Sequence, residues 1–487
     1  MEWTRAKRYQ PYTAYSAVTL LALQQQAADS PAQLRYHIRP RSGLLNDPNG
    51  FSYFNGEWNV FYQSFPFGAT HGLKAWMRLT SPDLVHWYEH GLALQPDTKF
   101  DSHGAYSGSA RAVGDRLFLM YTGNHRTATW QRQPYQLGAW LDQKGQVTKL
   151  AKPLIEPPAA VSEHFRDPQL LQVGSTYYAL IGAQTASDQH GAIWLYQAPA
   201  AVGPWQAVGP VDLGETTLGY MVECPNLVEV DGTPVMIFCP QGLPKQVAAY
   251  QNIYPNMYVS GTAFDYQTAQ LRHPSALNNL DAGFDVYASQ AFNAPDGKAY
   301  LISWVGLPDL TYPTDQENWA NCLSQVKELH FHAGHLYQQP VAAMKTLRQT
   351  EHGFAGSVTT IAATAGQQLE LQLTVAADQT GTLYLAADDT LTHGLRLNFD
   401  TRTGQLEVDR GQTAQVPAPE YGTTRSVAVP AHQPLQLRIF LDHSLAEIFV
   451  NHGAEVVTLR YFNDQSWGKI AFAQPTQVTG KWWSLQL

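Results

Sequence analysis

Cysteine is scarce: Cys224, Cys239 and Cys322 are the only three in 487 residues. An odd, widely spaced set builds no disulfide framework and no CxxC zinc knuckle. The 17 histidines include no HExxH pair, and no acidic calcium loop of the D-x-[DN]-x-[DN]-G kind occurs. No metal and no other cofactor is therefore expected. Charged residues make up only 15%, and the formal balance is -9. Nucleic acid and anionic membranes both need a basic face, so neither is expected as a partner. Uninterrupted apolar runs are short, and none would cross a bilayer as a helix. "AVTLLAL" after Arg5, Lys7 and Arg8 imitates a signal peptide, but "QQQAADSPAQL" continues a helical pattern with no clear A-x-A site. The expectation is a cytoplasmic protein with an N-terminal helical segment over residues 1–33.

Apolar residues are plentiful at 44%, with 13 Trp and 25 Tyr, so the chain folds, and its length calls for two or three domains. Five segments share a turn glycine followed by an apolar, β-prone run: "NGEWNVFYQ", "VGDRLFLMYTG", "VGSTYYALIGA", "DGTPVMIFCPQG" and "DGKAYLISWVG". The glycines are Gly56, Gly114, Gly174, Gly232 and Gly297, about 60 residues apart. Apolar runs bounded by turns suit strands buried on both faces. Five sheets of this size, arranged radially, make a five-bladed propeller.

Asp47 lies nine residues before its turn glycine, Asp167 seven and Glu223 nine. One position near the strand that opens each blade is thus expected to carry an acid in repeats one, three and four. The opening strand of a propeller blade lines the central channel, so the three would converge. Two of them precede proline, which holds the backbone at the acid extended. Paired carboxyls cleave glycosidic bonds, one attacking or activating water and one protonating the leaving oxygen. A third can keep the pair in different protonation states. The competing use is a calcium or magnesium site assembled across blades. Arg166 adjoins Asp167 and is expected to face the opposite side in a regular strand; only a loop or a bulge would let it reach the pocket.

"LLNDPNG", "FRDP" and "ECP" occur together with "FYQSFPFGATHGLKAW", "SPDLVHW", "YSGSA", "MYTGN", "GFDVYASQAF", "LYQQPV" and "LDHSLAEIFVN". In this order they resemble glycoside hydrolase family 32, the β-fructofuranosidases that include invertases, sucrose-6-phosphate hydrolases and fructan hydrolases. The resemblance implies a retaining reaction through a covalent fructosyl-enzyme. Asp47 would be the nucleophile, Glu223 the general acid/base, and Asp167 the transition-state stabiliser aided by Arg166. Asn46, Gln63, Ser107 and Asp285 would line the fructose subsite, with Trp76, Tyr106 and Trp304 also binding substrate. The sequence departs from the family pattern at "KAWMRLTS": Met77 and Arg78 stand where many relatives have Gly-His, and His71-Gly72 where several place a Trp. The leaving-group preference is therefore open. Lys74, Arg78 and Lys245 are candidate partners for a substrate phosphate. Cys224, next to the acid/base, is either a pKa-tuning thiol or a small buried residue.

From about residue 355 the pattern changes to strict alternation, as in "QLELQLTV", "LRLNF" and "LQLRIFLDHSLAEIFVN". Period-two runs with Gly and Asp/Asn turns read as an antiparallel β-sandwich. The expected layout is a propeller over 34–340, a linker over 341–354 and the sandwich over 355–487, an all-β chain apart from the N-terminal helix. The sandwich would mainly stabilise the propeller, with Trp482 and Trp483 in its core or in the seam. The expected reaction is hydrolysis of the fructosyl bond of sucrose, sucrose 6-phosphate or short fructooligosaccharides. An inverting arabinanase-like propeller and an inactive sugar-binding propeller are the rivals, and transfer to a sugar acceptor is a further outcome of a fructosyl-enzyme. The partner is a small sugar, and a homodimer stays open.

Overall fold

In the computed structural model, which describes residues 2–487, the apolar runs form five antiparallel sheets. Their innermost strands are Gly43–Phe54, Ala105–Val113, Val161–Val173, Met221–Val230 and Val286–Asn293. Each turns into the second strand of its blade through one of the repeat glycines, which all have φ between +58° and +85°. A Cβ there would meet nothing within 4 Å, so glycine is present for its left-handed backbone and not for space. The ring is closed by residues 319–323. Trp319–Ala320 pairs in parallel with Gly43–Leu44 of blade one, while Cys322–Leu323 pairs with Trp304–Val305 of blade five.

A second closure runs around the axis. Asn49, Ser109, Gln169, Asn226 and Gln290 occupy one position on the five inner strands and are at most 9% exposed. Each bonds the backbone of the next blade. Asn49 Oδ1 accepts from Gly108 N at 2.9 Å. Ser109 Oγ accepts from Leu170 N at 2.7 Å and donates to Pro168 O. Gln169 bonds both Leu227 N and Leu227 O. Asn226 bonds Ala291 N and Ser289 O, and Gln290 Oε1 accepts from Phe51 N at 2.7 Å, returning to blade one. Buried backbone groups at the blade junctions, which the sheet ladders leave free, are thereby paired.

The N-terminal segment forms the short helix Arg5–Arg8 and the helix Ala17–Ala28, capped by Ser16 Oγ accepting from Thr19 N. It is docked on the propeller: Leu73 N donates to Arg8 O at 2.8 Å, and Tyr15 stacks on Phe67 at 3.7 Å. At the other end, Ala342–Leu347 is a 3-10 helix, and the sandwich begins at Arg348. Its strands follow one hydrogen-bonded path folded into two layers. The 17-residue strand Lys469–Leu485 serves both, pairing with Thr380–Ala387 through its first part and with Gln368–Val375 through its second. Alternate residues such as Leu371, Leu397, Ile439 and Phe472 fill the core. Trp482 packs against that core, and Trp483 is buried beneath the Arg348 guanidinium.

The seam between the domains combines apolar packing, with Phe440 and Phe449 against Tyr36 and Val326, and a fully buried charged cluster. His37 Nδ1 meets Asp442 and Nε2 meets Glu447, both at 2.9 Å, and the Asp442 carboxylate accepts from the backbone N of Arg35, Tyr36 and His37. Burial works against a charged imidazole, but the two carboxylates outweigh it and hold the His37 pKa at about 9. His37 and Lys327 in turn keep Glu447 below its usual range against its own burial, and His37 does the same for Asp442.

Two outcomes follow. Gln169→Leu leaves Leu227 N and O unpaired in the interior and should cost about 2–4 kcal/mol, read as a lowered midpoint in guanidinium unfolding. The His37 contribution is fully present below the unfolded histidine pKa of about 6.5 and is lost as pH rises through about 9. Stability should therefore fall by about 3 kcal/mol between pH 6 and 9.5 relative to His37→Gln, measured as the difference in unfolding midpoints across that range.

Candidate active site

The inner strands are not regular where the acids sit. Pairing with the second strand breaks between Leu45 and Pro48, Ala105 and Gly108, Arg166 and Gln169, Glu223 and Asn226, and Tyr287 and Gln290. Each break is a β-bulge, which re-aims side chains that a regular pleat would send to the blade faces. Asp167, Cys224 and Ala288 take φ of 66°, 48° and 44° at it. Counting back from the axial ring of Asn49, Ser109, Gln169, Asn226 and Gln290 sets the phase. Asp47, Ser107, Asp167, Cys224 and Ala288 are equivalent. Asn46, Tyr106, Arg166, Glu223 and Tyr287 form the row before them. This corrects the expectation of one shared acid position: Glu223 stands where Asp167's blade has Arg166, because the bulge turns both rows toward the axis.

The three carboxylates meet. The Cys224 thiol lies 3.8 Å from Asp47 Oδ2 and 3.7 Å from Asp167 Oδ2, while Arg166 Nε lies 4.0 Å from Asp167 Oδ2 and 3.0 Å from Glu223 Oε1. Asp47 accepts from Asn46 Nδ2 at 2.9 Å, from Gln63 Nε2 at 3.3 Å and from the Ser107 hydroxyl. Asp167 is fixed by Cys224 N at 3.1 Å onto its carboxylate and by its own N–H on Thr122. Glu223 accepts four bonds, two from Arg166, one from Gln241 Nε2 at 2.7 Å and one from Tyr287 OH at 2.6 Å.

These surroundings split the protonation states. Burial lifts Asp47, partly offset by the Ser107 bond. Burial also lifts Asp167, and with the charges of Glu223 and Asp47 it outweighs Arg166, placing Asp167 at about 7. Burial presses Glu223 upward too, but the Arg166 charge and the Tyr287 bond overcome it, so Glu223 is ionised. Burial raises the Cys224 thiol, leaving it neutral. Lys74 donates to the Asn46 side-chain oxygen and contacts His71 Nδ1 at 3.0 Å; burial lowers its ammonium to about 7.

The cavity over this cluster has a volume of about 170 Å³. Asn46, Asp47, Gln63, Tyr106, Arg166, Asp167, Glu223 and Trp304 line it, as the sequence led one to expect. Three expected residues do not. Ser107 supports Asp47 from behind. Trp76 is fully buried between Phe61 and Tyr121, with Nε1 on Tyr106 O, and so braces Tyr106 instead of meeting a ligand. Asp285 is drawn into the domain seam by Arg410 at 2.8 Å, Arg460 N at 2.7 Å and Tyr312 OH at 2.8 Å, away from the cavity. Of the phosphate candidates only Lys74 lines the cavity. Arg78 is turned onto Asn59, and Lys245 is exposed beside Tyr250. Residues not foreseen are Tyr9, Arg132, Gln241 and Tyr287. Tyr287 was reachable, since it holds the repeat position of Glu223; Tyr9 and Arg132 carry no local signal. Among the described residues no three His, Cys, Asp or Glu side chains are grouped to hold a metal ion.

Comparison with known proteins agrees with this architecture. The profile described as the glycosyl hydrolases family 32 N-terminal domain matches residues 37–340, and that of the family 32 C-terminal domain matches 337–486. A sucrose-6-phosphate hydrolase of Pediococcus pentosaceus is 49% identical over 99% of this chain and 96% of its own. One of Streptococcus mutans is 46% identical over 95% of both. The solved structure of sucrose-6-phosphate hydrolase from Lactobacillus gasseri superposes with a TM-score of 0.98 at 52% identity, covering 100% of this chain and 99% of that one. With both domains matched end to end and the three acids gathered at one axis, the chain belongs to glycosyl hydrolase family 32.

Proposed function

We propose that the chain is a retaining β-fructofuranosidase that hydrolyses sucrose 6-phosphate and sucrose. The carrying observation is the convergence of Asp47, Asp167 and Glu223 on one small cavity, linked through Cys224 and Arg166. Asp47 attacks the anomeric carbon of the fructosyl ring while Glu223 gives its proton to the glycosidic oxygen, which leaves on the other sugar. Glu223 then takes a proton from water, which displaces Asp47 and releases fructose. Ser107, Gln63 and Asn46 hold the Asp47 carboxylate in line. Substrate activates the pair: fructosyl hydroxyls on Asp167 favour its ionised form, Arg166 shifts toward it, and the proton held there passes to Glu223. The N-terminal segment is docked on the propeller and contributes Tyr9 to the cavity wall.

Asp47→Ala and Glu223→Ala should each lower kcat by about 10³-fold or more with an unchanged circular dichroism spectrum; near-normal turnover in both would end this reading. The free site must keep one proton among its carboxyls, so kcat/KM should fall as pH rises through about 7, where Asp167 loses it. Removing the Arg166 charge raises the carboxyl pKa values, and Arg166→Gln should move that descending limb to higher pH in a full pH–rate profile.

A further inference from the structure

One wall of the cavity is cationic and lacks carboxylate partners of its own. Arg132 opens the third strand of blade two and lines the cavity. Its backbone N, not its guanidinium, meets Glu163 at 3.2 Å. Its Nε is buried without a hydrogen-bond partner, and its Nη1 faces His164 Nδ1 at 3.3 Å. That imidazole also faces Arg166 Nη1 at 3.0 Å, and it is neutral, with burial and the two arginines holding it at about 4. Arg126 pairs with Arg132 across the hairpin. It spends Nη1 on Trp130 O, and its Nε is likewise buried and unpartnered. Tyr9 reaches this wall from the N-terminal segment, its ring edge-on to Trp130 at 5.3 Å, while the Arg5 guanidinium lies over the Trp130 ring at 4.4 Å.

The chemistry of the reaction says which half of the substrate faces this wall. The leaving sugar must sit on the side of the group that protonates it, Glu223. Arg132 is on that side, sharing His164 with the arginine that clamps Glu223. Lys74 is on the opposite side, engaged with Asn46 and His71 beside Asp47. Two guanidiniums with free N–H donors and a phenol suit a phosphomonoester, which offers three acceptor oxygens and a double charge.

We propose that Arg132, backed by Arg126 and joined by Tyr9 of the N-terminal segment, forms the subsite for a phosphomonoester on the leaving sugar. The assignment deepens the hydrolase reading and rests on it; it moves the phosphate away from Lys74, Arg78 and Lys245. It also gives the N-terminal segment a part in selectivity.

The test separates the two claims. Calorimetric titration of the wild-type protein with glucose 6-phosphate and with glucose reads the subsite without turnover. Glucose 6-phosphate should bind at least 10-fold more tightly, and Arg132→Gln should remove most of that margin. In kinetics, Arg132→Gln should lower the ratio of kcat/KM on sucrose 6-phosphate to that on sucrose by about 10- to 100-fold, Tyr9→Phe should lower it by less, and Arg132→Lys should restore part of it. Equal binding of the two glucoses, or an unaltered ratio in Arg132→Gln, would overturn the subsite. Should Arg132→Gln fail to fold, the wild-type titration and the Tyr9→Phe ratio still decide. A protein that binds glucose 6-phosphate yet cleaves neither sucrose would keep the subsite and defeat the hydrolase reading.

Discussion

The bulge in each inner strand, pinned by the buried polar side chain that follows it, is the constraint on which the rest depends. Asn49, Ser109, Gln169, Asn226 and Gln290 must each satisfy backbone groups of the neighbouring blade in a dry interior. That requirement locks the rotation of every blade about the axis. The extra residue upstream is then forced out of the ladder, and at Asp167, Cys224 and Ala288 the backbone accepts a left-handed conformation at a cost of about 1–3 kcal/mol each. The result is two adjacent rows of side chains aimed at one point. A regular strand would deliver only every second residue, and Arg166 and Asp167 could not both serve the site.

Electrostatic asymmetry grows from that crowding. Three carboxyls share a closed space with Arg166 as the guanidinium between two of them, so they cannot all respond alike. Glu223 takes the full set of donors, and Asp167 is lifted to about 7. The site is polarised before any substrate arrives, with its donors already oriented.

The second domain enters through the seam. Asp285 lies on blade five just before the inner strand that carries Tyr287, and its carboxylate is held by Arg410 and the backbone of Arg460. Tyr287 in turn donates to Glu223 at 2.6 Å. The sandwich therefore fixes the approach of a residue that touches Glu223, alongside covering apolar surface. His37, Asp442 and Glu447 do the same for the entry to blade one, ahead of Asn46 and Asp47.

Five apolar runs behind five turn glycines were enough to set the blade count, because a hairpin needs its left-handed turn residue wherever the chain folds. Alternation from residue 355 onward likewise announced the sandwich, since a strand with one buried face must alternate. The motifs around Asp47, Asp167 and Glu223 marked the acids for the same local reason. What the sequence could not carry was phase and partner. A one-residue bulge shifts which side chain faces the axis without altering composition, so Glu223 looked equivalent to Asp167 when it is equivalent to Arg166. Asp285 and Trp76 read as ligands of a sugar, yet contacts with Arg410 and with the blade core, formed by residues distant along the chain, assign them elsewhere. Tyr9 comes to the cavity only because the N-terminal segment docks against the blade-two hairpin, and a packing event between remote segments leaves no trace in the residues next to either one.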